Sequence, residues 1–256
     1  MMAINTWLIE NKRRITYAAF GVLFIIRALA GYRSATSQED VSRFYPSFFI
    51  VSLIGITVFI LANKDDLSKF NIDKYVIYTL ILSGVILFIT FPLSLPGIIA
   101  IICALLVRRV LYVPKTESHR PVNFGTIFRF TILGITLEVL LRLFTPESLR
   151  YPNYYLHLSA GEIFVLVSIV MWNVMLEDVL FRSILWGILG EWKLNATKII
   201  VIQAFLFWLV HLDLILTSSH GIPVLIFGLW TGFLVSRAKS LTQISPPILC
   251  ITLLQD

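Results

Sequence analysis

Apolar residues run through this chain in long stretches at about 14–31, 45–63, 75–92, 96–113, 124–144, 161–190, 196–216 and 222–236, followed by a short one at 244–254. Polar residues gather in the connections between them. A helix that spans a bilayer needs ~20 apolar residues. The pattern therefore predicts an all-α polytopic membrane helix bundle of about eight transmembrane helices. The first run follows Lys12, Arg13 and Arg14 and ends in Ala28-Leu29-Ala30, an arrangement shared with cleavable signal peptides. It is expected here as a retained first helix.

Composition supports the pattern. Of 256 residues, 57% are hydrophobic and 14% charged, and the mean hydropathy is +0.85. Soluble domains are about 45–50% apolar and about 25% charged. An ordinary soluble domain, a disordered chain and a secreted disulfide scaffold are thereby excluded. Cys103 and Cys250 both lie in apolar runs far apart in sequence, so no disulfide is expected.

The formal charge of +6 and pI of about 9.4 invite a nucleic-acid reading, which the placement of the charges removes. Lys and Arg fall in short clusters between apolar runs, without interleaved aromatics. With the N-terminus inside, fourteen of the 21 basic residues lie on inner connections, from Lys12 to Lys239. Only Arg33, Arg43 and Arg150 lie on outer ones. This is the positive-inside bias, and it predicts a cytoplasmic N-terminus. The expected setting is the cell membrane, with lipid as the surrounding partner and no nucleic acid. The polar connection at 145–160, with its tyrosines, separates N-terminal helices 1–145 from a C-terminal helical core at 160–256.

The four remaining arginines, Arg27, Arg129, Arg142 and Arg182, sit within apolar runs, where ionisable side chains are expensive. Arg142 follows Glu138 by one turn, a spacing that permits mutual neutralisation. Arg27 and Arg129 receive no role. The densest polar cluster is Asn173-Val174-Met175-Leu176-Glu177-Asp178, followed by Arg182. Asp178 and Arg182 are one turn apart and can hold each other charged. Glu177 lies about 100° round the helix, on the stripe of Asn173, with no obvious local partner. Such a carboxylate can serve as a general acid or base.

On the next run Gln203, Phe207 and His211 form a second polar stripe at four-residue spacing. Glu177 is about thirteen residues from the inner end of its run and His211 about fifteen, which at ~1.5 Å per residue puts both ~20 Å deep. Antiparallel helices would bring them together. A glutamate facing a neutral histidine can activate water, with or without a divalent metal. Asp213 and His220 read as interfacial loop residues, and Gly228-x-x-x-Gly232 as a close helix contact.

These residues resemble the CPBP family of membrane proteins (CAAX prenyl proteases and bacteriocin-processing, or Abi, proteins). Its first motif is a Glu-Glu pair with Arg four residues after the second. Here it reads Glu177-Asp178-x-x-x-Arg182. Its second, Phe-x-x-x-His, is matched by Phe207 and His211, and a glycine-containing helix follows at Gly228–Gly232. The resemblance covers roughly 160–256. It implies a glutamate-dependent intramembrane endopeptidase acting on a peptide or lipid-modified protein near the membrane. Glu177 and His211 would activate water, and Arg182 would order the motif helix. The third motif, His-x-x-x-Asn or Asp, falls at Cys250 and Leu254. Cys250 reads either as an inert small apolar residue or, if a metal is used, as a ligand beside Glu177 and His211. The alternative suggested by the replaced third motif is a non-proteolytic member acting as a scaffold, an immunity factor or a stabiliser of a membrane-protein partner. A transporter is the remaining class, but no halves of the chain echo each other as inverted repeats would.

Overall fold

Where apolar side chains crowd every face of a segment, the backbone can satisfy its own polar groups only by closing helical hydrogen bonds. The computed structural model describes residues 10–36, 41–72, 173–211 and 221–238, with isolated positions at 7, within 98–107 and within 125–136. Throughout these residues the regular structure is helical. Helix α1 (Lys12–Thr36) and helix α2 (Val41–Ala62) are followed by a 3₁₀ turn (Leu67–Phe70). A third helix runs from 173, widens to a π-helix over Asp178–Ile184 and continues as α3 (Leu185–Glu191). Then come α4 (Ala196–Leu209) and α5 (Gly221–Ala238). Among the described residues no helix is long and apolar enough to cross a membrane. The count of eight crossings and the inward N-terminus therefore rest on the sequence.

The ends of these helices are set by local chemistry. Asn195 caps α4, its side chain accepting from the Lys198 N–H at 3.0 Å. Helix α3 stops in a Schellman motif. Lys193, at φ 57°, lets Leu194 N–H reach back to the Leu189 carbonyl while its own N–H bonds Gly190. The α2 connection folds back on the start of α1. The Asn63 amide donates to Thr16 Oγ1 at 2.9 Å, and Lys12 pairs with Asp66.

Packing proceeds in two bodies that meet at the third helix. Helices α1 and α2 pair along their length, burying Leu23, Ile56, Phe59 and Ile60. Phe70 lies edge-on to Phe59 with ring centres 5.0 Å apart, and its ring fills the space where a side chain on Gly187 would stand. Helices α4 and α5 pack closely against each other. A Cβ on Gly228 would sit 3.1 Å from Ala204 Cα, and one on Gly232 would run into Gln203. The Gly-x-x-x-Gly spacing thus does what its small residues permit: it lets two backbones approach. Outward, α1 exposes Val22, Ile25 and Leu29, and α4 exposes Val201, Phe205 and Leu209, each set forming an apolar stripe. The third helix runs between these two pairs, and its polar residues meet α1 on one side and the end of α4 on the other.

Candidate active site

The π-helix is a local consequence of one extra residue in a turn. At its end the Leu185 N–H reaches the Leu180 carbonyl five residues back. Such wide turns occur mostly as single insertions and often at functional sites. Here the wide turn begins directly after Glu177 and holds Asp178 and Arg182. These two form the ion pair that their spacing predicts, completely buried on both sides. One face of the Arg182 guanidinium lies 5.4 Å from the centre of the Phe207 ring. Among the described residues its Nε and Nη2 have no hydrogen-bond partner, and the aromatic face lies against that half of the charge.

Phe207 is the hub of the site. Phe181 stands edge-on to it at 5.5 Å, the His211 ring lies 4.4 Å away, and Phe227 of α5 packs at 6.0 Å. Helix α4 ends at Leu209, so His211 sits just beyond the last turn, its backbone N–H bonding the Trp208 carbonyl. There the imidazole swings back along the helix. Its Nδ1 is 2.7 Å from the Phe207 carbonyl oxygen. A carbonyl only accepts, so Nδ1 carries the proton and donates. In the neutral ring Nε2 is then an acceptor.

That Nε2 lies 3.4 Å from Glu177 Oε1. The acid and the imidazole, carried on two consecutive apolar runs, thus face each other. Both side chains are about a tenth exposed, in contrast to the sealed Asp178–Arg182 pair. Two acceptors side by side are the receptor for a molecule with two O–H bonds. A water placed against them gives one hydrogen to each and turns a lone pair outward.

Glu177 is not left without a partner, as reading its own helix suggests. Arg27 of α1 donates from Nε to Glu177 Oε1 at 2.8 Å, and its Nη1 is 3.4 Å from the Val210 carbonyl at the end of α4. Arg27 has no acid within reach on its own run because Glu177 lies on another. A usable signal was present. Arg27 is about thirteen residues beyond the inner end of its run, the same ~20 Å depth as Glu177.

The other sequence candidates divide clearly. Asn173 lies one turn before Glu177, half-buried, and no hydrogen bond among the described residues joins it to the group. Gln203 is buried on α4, with both ends of its amide unpartnered among the described residues. Arg129 is exposed. Cys250, Leu254, Glu138, Arg142, Asp213 and His220 lie outside the described residues. Among the described residues no three His, Cys, Asp or Glu side chains gather into a metal-binding group.

Residues 159–250 match the family model of the type II CAAX prenyl endopeptidases, Rce1-like. No curated protein and no solved structure matches the chain. The matched stretch contains Glu177, Asp178, Arg182, Phe207 and His211, the residues of the first two motifs. Over this C-terminal stretch the chain is thus similar to the CPBP/CAAX protease family through its Rce1-like branch.

Proposed function

We propose that this chain is an intramembrane endopeptidase that cleaves a peptide or lipid-modified protein near the membrane. Glu177 is its general base, and His211 is the second acceptor that positions the water. The observation that carries the reading is the 3.4 Å approach of Glu177 Oε1 to His211 Nε2 from two different helices. The match over 159–250 with an endopeptidase family supports the reaction class. The apolar outer stripes of α1 and α4 support a lipid setting. In the reaction Glu177 takes a proton as the water oxygen attacks the scissile carbonyl carbon. The tetrahedral intermediate then collapses, the C–N bond breaks, and that proton passes to the leaving nitrogen.

The test is cleavage of a quenched fluorescent peptide carrying a farnesylated C-terminal CAAX sequence by the purified protein in detergent. Glu177→Gln and His211→Ala should each bring the rate to background while leaving the protein folded. Wild-type cleavage that persists undiminished in both variants overturns the assignment. The second reading, a non-proteolytic scaffold or partner-stabilising subunit, is favoured by Cys250 and Leu254 in place of the third-motif residues. It predicts no cleavage by the wild type and a stable complex with a membrane protein that survives Glu177→Gln.

A further inference from the structure

Peptide hydrolysis moves one unit of negative charge. In the ground state it sits on the base, and in the tetrahedral intermediate it sits on the former carbonyl oxygen. Preorganised donors aimed at that oxygen are usually the largest single contribution to catalysis. Neither Glu177 nor a neutral His211 with Nδ1 committed to Phe207 offers such a donor. Arg182 is close in sequence but sealed against Phe207 and Asp178.

We infer that Arg27 supplies it: the guanidinium that holds the Glu177 carboxylate in the resting site hydrogen-bonds the oxyanion as the charge leaves Glu177. This rests on the peptidase reading, and it extends the site to α1, outside the matched stretch 159–250. A guanidinium is a planar fork with donors on more than one edge. One edge, Nε, is on Glu177 at 2.8 Å. Another, Nη1, touches the Val210 carbonyl at 3.4 Å, the outer limit of a hydrogen bond, and exchanges readily for a nearby anion. The side chain is 14% exposed, so an approaching carbonyl can meet it.

Charge balances at each step. Before attack, Arg27 faces an ionised Glu177 and the group is neutral. After attack, Glu177 holds the water proton, the new C–O bond has pushed the carbonyl π electrons onto oxygen, and Arg27 faces O⁻. After collapse the carbonyl reforms, the amine leaves with the proton, and Glu177 is ionised again. One cation thus serves two anions in turn without entering or leaving the site. That avoids exposing an unpaired charge in a medium where it is costly.

The experiment uses full-length protein in detergent, the farnesylated fluorogenic peptide, and a phosphonamidate analogue of it whose tetrahedral P–O⁻ mimics the intermediate. Glu177→Gln is run alongside to test the parent reading separately. Arg27→Ala should lower kcat by about 10²–10³ with KM changed less than about threefold, the split expected when a contact is made only in the transition state. Affinity for the phosphonamidate should fall with kcat. Millimolar guanidinium should restore part of the Arg27→Ala rate and none of the Glu177→Gln rate, and Arg27→Lys should fall between wild type and Arg27→Ala. Arg27→Gln replaces Arg27→Ala where the latter does not fold. An Arg27→Ala enzyme with kcat within about threefold of wild type overturns the inference. So does a loss of rate with undiminished phosphonamidate affinity, or one that neither guanidinium nor lysine relieves. A silent wild type removes the peptidase reading itself, an outcome distinct from these.

Discussion

Glu177 and Asp178 are neighbours in the chain, and each is paired with an arginine, but the two pairs differ in reach and in access. Asp178 bonds Arg182 within one helix, and neither side chain has any exposure. Glu177 bonds Arg27 across 150 residues of sequence, with both side chains a little over a tenth exposed and a histidine alongside. Removing solvent from two charges costs several kcal/mol each, and only good geometry recovers it. The sealed pair is therefore suited to holding the π-turn in shape and unsuited to exchanging protons. The open pair is accessible to water and, under the proposed peptidase function, to a substrate carbonyl. Chemistry is expected from the second pair and rigidity from the first.

That division can be broken by mutation. The largest effect is expected for Glu177→Gln: cleavage of the farnesylated peptide falls to background, with the thermal unfolding midpoint moving by only a few degrees. A variant that cleaves normally would erase the distinction between the pairs. Next is Arg182→Ala, which strands a buried carboxylate and should cost about 3–5 kcal/mol of stability. Loss of folded protein on size-exclusion chromatography should precede any measurable kinetic change. The double variant Asp178→Leu with Arg182→Met should recover most of that stability, because replacing a buried pair by apolar groups is often neutral. Failure to recover would assign the sealed pair more than a structural part.

Smaller effects test the surroundings of the two pairs. Gly228→Ala places a methyl 3.1 Å from Ala204 Cα and should destabilise the α4–α5 contact by about 1–3 kcal/mol through overpacking. Its peptide KM should be unchanged. The smallest effect concerns the surface pair Lys12–Asp66. Lys12 and Lys69 hold the Asp66 carboxyl below its ordinary value, and Asp66 raises Lys12. A depressed carboxyl contributes stability that is present above its unfolded pKa and lost as pH falls through the folded one. The raised lysine contributes below its unfolded pKa and loses this only at strongly alkaline pH. Both side chains are partly exposed, so Asp66→Asn should cost at most about 1 kcal/mol. The acid-side loss of stability should flatten correspondingly in melts below about pH 4.

What could be read in advance depended on how local each relation is. The Asp178–Arg182 pair was legible because both partners lie on one helix, one turn apart. The meeting of Glu177 with His211 was legible because depth can be counted along two consecutive runs. The Gly228–Gly232 contact was legible because small residues at that spacing have one common use. Arg27 was visible as a charge placed within an apolar run. Counting residues gives its depth but not the rotation of the first run against the sixth, and that rotation arises from packing. The π-turn was not legible at all, since nothing in Asp178–Ile184 forbids ordinary α-helix.

That wide turn acts as a phase shifter. An α-helix advances about 100° per residue, so one surplus residue swings everything before it by roughly that angle relative to everything after. A helical wheel drawn straight through the segment therefore sorts its two halves onto mismatched compass bearings. Excising a single residue between 179 and 181 would let the ladder close at ordinary pitch and leave the composition almost unaltered. It would also aim the carboxylate of residue 177 away from both the arginine and the imidazole.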